Sequence, residues 1–252
     1  MTQKKHRLNA YYTALFSDRW SIDFNFDQLT GWNKRKQEIE ETGRESADRN
    51  LHTVNRMNDY LYAYKLVLGY MPPSLEIKAG HEFSFISQMN NYVNIEQTLP
   101  SSVNRIKDRK AAVFASVAYS LRRFSLHAGL RYEHAAYDYY GRGVLMPEQS
   151  RTYNRLYPDF SFSYDLKPVQ FSLTYSEKTN RPYFYQLRND IQYNDRFSFE
   201  TGNPALQPQT QRYVSFRMGY ADLLFNIGYS HIQDYIAFAT KSYPDDKRIT
   251  LF

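Results

Sequence analysis

The sequence contains no cysteine. Disulfides, thiolate nucleophiles and cysteine-ligated metals are excluded together. Glycine and proline are modest, at 10 residues each in 252. Glycine shows no period, so a collagen-like chain is ruled out, and no sustained heptad pattern supports a coiled coil. Long apolar runs are missing as well. A membrane-spanning helix needs roughly 18 or more consecutive apolar residues. The longest comparable stretch, Ala111 to Leu121, is shorter and is broken by Ser116 and Ser120. The basic start, Met1 to Arg7, leads into no apolar segment, so no signal peptide is expected within this sequence. Lys and Arg outnumber Asp and Glu by 32 to 26, a net charge of +6. These bases are scattered among acids with no basic face, and nucleic acid is not an expected partner.

What is abundant is aromatic: 24 Tyr, 17 Phe and 2 Trp. A disordered chain is poor in such residues, and Tyr and Phe favour strands. Their placement is periodic. Trp20, Ile22, Phe24 and Phe26 alternate with Ser21, Asp23, Asn25 and Asp27. Tyr60, Tyr62, Tyr64, Leu66, Leu68 and Tyr70 share one parity. Phe124, Leu126, Ala128, Leu130 and Tyr132 oppose Ser125, His127, Gly129, Arg131 and Glu133, and Val169, Phe171, Leu173 and Tyr175 oppose Gln170, Ser172, Thr174 and Ser176. A period of two means strands with one apolar and one polar face. No segment has a convincing helical period.

The pattern predicts ten strands, at 8–16, 19–29, 57–70, 75–88, 108–121, 123–136, 155–165, 169–178, 209–220 and 223–236. Their connections alternate strictly between short and long. Short ones fall at Ser17–Asp18, Met71–Ser74, Arg122, Leu166–Pro168 and Ala221–Asp222, and long ones at 30–56, 89–107, 137–154 and 179–208. An up-and-down transmembrane barrel has this asymmetry. A soluble sandwich has no physical reason to sort its loops by end. Phe16, Trp20, Tyr70, Tyr119, Phe124, Tyr164 and Tyr220 lie beside the short turns, as a girdle at a membrane–water boundary would. The polar parity, with Asp23, Asp27, Glu76, Lys78, Glu82, Arg131 and Asp165, suits a wet lumen. His81 falls on the apolar parity of its strand, which a bulge or an interfacial position would reconcile.

Catalytic and metal motifs are missing. The histidines His6, His52, His81, His127, His134 and His231 form no ligand spacing, and His127 and His134 differ in parity. There is no nucleophile elbow, phosphate loop or dinucleotide fingerprint; Gly141-Arg142-Gly143 suits only a flexible loop. His231 and Asp234, of opposite parity, make poor catalytic partners, so neither an enzyme nor a cofactor is expected. The densest charge, Lys34 to Glu41 continuing through Arg44, Glu45, Asp48 and Arg49, reads as a solvated outer loop. Its sharper reading is a contact for a ligand, a surface lipoprotein or lipopolysaccharide phosphates. Tyr137, Tyr139, Tyr140, Tyr183, Tyr185 and Tyr193 fall in loops, where they either stack on flat ligands or pack the loops together.

Several linked segments carry a family resemblance. Leu156-Tyr157-Pro158 with Phe160 to Tyr164, then Tyr175 to Pro182 with Gln186-Leu187, then Gly202-Asn203-Pro204-Ala205-Leu206-Gln207-Pro208, and Gly129 to Glu133, resemble motifs of the outer membrane protein β-barrel family, a branch of TonB-dependent-receptor-like proteins. The matching residues include Gly129, Arg131, Tyr132, Arg181, Pro182, Leu187, Gly202, Asn203, Pro204, Leu206 and Pro208. Gln209 departs from the family's Glu, and Asn189 to Arg196 lacks its usual Pro-containing pairs. Gly202 tolerates unusual backbone angles and Pro204 and Pro208 fix theirs, so this motif reads mainly as a rigid return into a strand.

The resemblance implies an outer-membrane transporter with a plug domain, TonB-supplied energy, an unidentified ligand and a barrel of about 22 strands. Ten strands and no plug make this chain, by expectation, a partial barrel. The tail Tyr243 to Arg248 reads as a loop entering another strand, Ile249 to Phe252. A complete small barrel, as rim enzyme or structural protein, and a soluble tyrosine-rich sandwich binding carbohydrate are the competing readings.

Overall fold

The structure, a computed structural model, describes every residue except 43–47, 245, 247–249 and 252, and of Leu251 the backbone alone. Arg44 and Glu45 of the charged run, and Phe252 with Asp245 and Lys247 to Ile249 of the tail, lie outside the described residues. Ten strands form one antiparallel sheet in chain order: β1 Thr2–Leu15, β2 Trp20–Glu41, β3 Arg49–Tyr70, β4 Leu75–Asn94, β5 Ser102–Leu121, β6 Phe124–Gly141, β7 Arg151–Leu166, β8 Val169–Asn180, β9 Gln209–Tyr220 and β10 Leu223–Gln233. Each pairs with the next and none crosses over. β1 and β10 are the two edges, so the sheet is an open part of a barrel wall. Among the described residues no helix is long and apolar enough to cross a membrane.

The strands turn where the sequence places short connections. Arg122 and Ala221 take φ of 51° and 48° in tight hairpins, the left-handed region that two-residue turns need to match strand twist. At the other end the strands run much further than alternation predicts. β2 extends to Glu41 and β3 begins at Arg49, so the charged segment 34–41 is strand rather than loop. Lys34 pairs with Arg56, Glu38 with His52 and Glu41 with Arg49. The physical reason is length. A tilted crossing uses about 9–11 residues, and β2 and β3 have 22 each. Above the membrane both faces of a strand are wet, and the period-two signal fades although the backbone ladder continues. The segment 137–154 is likewise mostly ordered: β6 runs to Gly141 and Val144–Leu145 folds back on it through a turn at Arg142-Gly143. β10 ends at Gln233, short of the expected Ile236, with Asp234 at φ 55°.

Register sorts the side chains into two faces. Lys65 pairs with Glu82, Glu82 with Ala112 and Ala112 with Glu133, which puts these and the positions two residues either side on one polar, inner face. Asp23, Asp27, Glu76, Lys78, Glu82, Arg131 and Asp165 all occupy it. The outer face exposes Tyr60, Tyr62, Tyr64, Leu68, Val113, Val117, Leu130 and Leu173. His81 is on this outer face, its ring 5.5 Å from that of Tyr64, and the β3–β4 register is continuous there, without a bulge. Near the short turns the outer aromatics meet. Trp20 lies 4.6 Å from Tyr70, Tyr119 6.0 Å from Phe124, Phe124 5.4 Å from Phe162, and Phe171 5.6 and 5.9 Å from Phe162 and Tyr164. Tyr220 is exposed at the last short turn.

Candidate functional site: the inner wall and its inward loop

A charged ladder climbs the inner face. Lys65 Nζ lies 3.0 Å from Glu82, whose other oxygen accepts from Arg131 at 2.6 Å. Arg131 also reaches Glu133 at 3.3 Å, and Glu133 accepts in turn from Arg181. Arg181 Nε donates to Tyr153 Oη at 3.0 Å. Signs alternate along the chain of contacts, so each carboxylate lies between two cations. Glycines make room for it. A Cβ on Gly80 would stand 2.4 Å from the ring of Phe114, over which Lys65 and Arg131 sit at 5.1 and 5.9 Å. Gly129 likewise leaves space for the carboxylate of Asp159, which His127 binds at 2.6 Å. His134, on the outer face, bonds Asn154 at 2.8 Å instead. No cluster of described residues could hold a metal.

The segment between β8 and β9 folds onto the outer end of this wall. Leu187 is buried with Ile106 of β5 and Tyr137 and Tyr139 of β6, flanked by Met146, Phe184 and Leu206. Tyr193 and Phe199 are buried against Leu51 of β3 and Leu99. Gln192–Asp195 and Ser198–Glu200 pair as a hairpin, joined by Lys241–Ser242 and Thr250–Leu251, so the tail after β10 enters a small loop sheet. Tyr193 donates to Glu41 at 2.7 Å, and burial first, then that carboxylate, pushes its phenol pKa up. The tyrosines expected in loops therefore divide, with Tyr137, Tyr139 and Tyr140 lying on β6 rather than in a loop. Tyr137, Tyr139 and Tyr193 pack loop to wall; Tyr183 and Tyr185 stack on each other at 5.7 Å and stay exposed.

The motif residues lock this segment. Gly202 abuts two backbone carbonyls; an added Cβ would sit 2.4 Å from Gln186 O and 2.7 Å from Arg188 O. Asn203 N donates to Gln186 O at 2.6 Å, Asn203 Oδ1 accepts from Ala205 N at 2.9 Å, and Pro204 O accepts from Arg151. Pro182, Leu206 and Pro208 line a cleft of about 420 Å³ whose wall includes Arg181, Tyr153 and Asp108. Gln209, the departure from the family's Glu, accepts from Ile236 N at 3.2 Å. Tyr132 is on the outer face, donating to Asn154 at 3.0 Å. Lys65 and Glu133 complete the ladder from the polar parity of their strands, Glu133 inside the Gly129–Glu133 motif, while no pattern in the sequence marks Tyr153. The polar residues on alternate positions above the membrane, Gln88, Asn90 and Asn104, were also passed over, because loops and wet strands look alike in sequence.

Over residues 14–252 the chain matches the outer membrane protein beta-barrel family. It belongs to that family. No curated protein matches the chain. Among solved structures, the sheet superposes on the copper transporter OprC with a TM-score of 0.66 at 13% identity, covering 99% of this chain and 42% of that one. For the ferric-catecholate import receptor Fiu of E. coli K12 the TM-score is 0.60 at 13% identity, covering 97% and 42%. For the ferric yersiniabactin uptake receptor FyuA of Yersinia pestis it is 0.58 at 13% identity, covering 92% and 36%. The chain thus spans well under half the length of these receptors. As a member of this barrel family the protein resides in the outer membrane, and the structures it is similar to are transporter and receptor barrels rather than enzymes.

Proposed function

We propose that this chain is part of the wall of a gated outer-membrane transporter that takes up a nutrient by the TonB-dependent route. The observation that carries the reading is the inward loop. A segment held by Arg181, Leu187 and Gly202 is packed onto the polar inner face above the membrane band, where a transporter needs a vestibule that meets ligand. The inner positions Asp23, Asp27, Glu76, Lys78, Glu82, Arg131 and Asp165 then face a plug domain or water. The outer aromatics Trp20, Tyr70, Tyr119, Phe124, Tyr164 and Tyr220 form the periplasmic girdle against outer-membrane lipid. Energy comes from the inner membrane through TonB, and a surface lipoprotein is a candidate partner at the outer rim. Planar-bilayer recordings on the protein purified from native outer membranes test this. A plugged barrel shows no steady conductance; a persistent porin-like conductance would refute the gated reading.

A further inference from the structure

Below the loop residues Phe184 and Tyr185 lies a recess of about 70 Å³. Its polar lining consists of Asn55, Gln88, Asn90 and Asn104 from three adjacent strands and Arg188 from the loop. Each of the five presents a buried atom with no hydrogen-bond partner: Asn55 Oδ1, Gln88 Oε1, Asn90 Oδ1, Asn104 Nδ2 and Arg188 Nε. Asn104 is itself only 5% exposed. The Asn90 amide nitrogen lies 3.5 Å from Asp190 Oδ1, and Gln88 stands across the strand ladder from Asp59. A buried polar atom left unpaired is destabilising, and the residues carrying five of them line one space the size of roughly two water molecules.

The chemistry of the lining selects the occupant. A cation would meet the Arg188 guanidinium, an anion would meet three carbonyl oxygens, and an apolar group would leave all five atoms unpaired. Three acceptors and two donors suit a neutral group that donates and accepts at once. A hydroxyl does both, and a vicinal diol, with two donors and four acceptor positions, can pair two of the three carbonyl oxygens and both donors. Arg188 is already charge-compensated by Glu200 at 3.0 Å. Beside the recess the stacked, exposed rings of Tyr183 and Tyr185 offer flat apolar surface, which suits the C–H faces of a sugar ring while a few polar groups fix orientation.

We propose that this recess binds the diol end of a neutral polyhydroxylated ligand, an oligosaccharide, with Tyr185 packing on its ring. The inference rests on the transporter reading for how ligand reaches the inner face. The test is calorimetric titration of the protein purified from native outer membranes with neutral oligosaccharides from a glucan, a mannan and a xylan, and with an anionic ferric catecholate. At least one neutral oligosaccharide binds. Asn90→Leu and Tyr185→Ala each weaken that binding by about tenfold or more, while Ser87→Ala, on the outer face of the same strand, leaves it unchanged. If Asn90→Leu does not reach the membrane, Tyr185→Ala, in an exposed loop, decides alone. Binding of the ferric chelate only, no binding of any neutral sugar, or sugar binding indifferent to the variants overturns the assignment. The bilayer recordings judge the transporter reading independently, so either can fail without the other.

Discussion

Replacing Arg181 by methionine removes the cation that ties the inward loop to the wall while keeping much of its length. Glu133 is 5% exposed. After the change its remaining cation is Arg131 at 3.3 Å, which already serves Glu82 at 2.6 Å. Breaking a buried ion pair from one side costs about 3–5 kcal/mol when the other charge is stranded. Arg131 stays, and the Arg181 side chain is 27% exposed, so the expected cost falls to about 2–3 kcal/mol. In a Glu133→Gln background there is no stranded charge, and Arg181→Met should cost only the hydrogen bond to Tyr153, about 1 kcal/mol. The coupling between the two positions is therefore about 1–2 kcal/mol. Native-state hydrogen exchange of segment 181–208, on protein in lipid, reads the opening free energy directly. Strict additivity of the two substitutions, or unchanged exchange in Arg181→Met, would refute the ladder as the loop's anchor.

Three further outcomes follow from the same geometry. Gly202→Ala forces a methyl group against two backbone carbonyls and should loosen the loop by about 1–3 kcal/mol, seen as faster protease cleavage within 183–208; unaltered cleavage would argue against the close approach. Leu173→Arg, on the outer face in the middle of β8, should cost about 2–4 kcal/mol in a bilayer, whereas Ser172→Arg on the inner face should cost far less, as read by urea unfolding in lipid; equal effects would invert the faces assigned here. At the rim, His52 is bonded to Glu96 at 2.6 Å and Glu38 at 2.9 Å, which raise its pKa, while the backbone N–H and ring of His52 lower that of Glu96. The histidine's contribution is complete below its ordinary value of about 6.5 and is lost as pH rises through the raised one. The glutamate's is lost as pH falls through its lowered value. Exchange of the Ile95 amide, bonded to His52 O at 3.0 Å, should be slowest between those limits, and a flat pH profile after correction for intrinsic exchange would count against the clasp.

Much of the wall was legible because its signal is local. Period-two alternation needs only neighbouring residues, so the short turns, the sequence order of ten strands and the two faces of each followed from parity. His81 illustrates where parity outweighed side-chain polarity: it stayed in register on the outer face against Tyr64. The upper halves of β2 and β3 were not legible. There Lys34, Arg35 and Lys36 lie on strand, but water on both faces removes the pressure to alternate, and a charged strand reads like a charged loop. The motif segments were recognisable as rigid turns, yet their partners were not. Nothing adjacent in sequence tells Arg181 that it meets Glu133, or Gly202 that it meets Gln186.

The sequence by itself therefore determined the class of fold and the alternation of polar and apolar positions along its strands, since each is a local property of a period of two. Only the tertiary structure decided which residues meet. The ion ladder joins four strands and a loop, and the amide recess joins residues 55, 88, 90, 104 and 188. Both depend on inter-strand register and on how the inward loop packs. These are set by closing contacts between distant parts of the chain, and no local period carries that information.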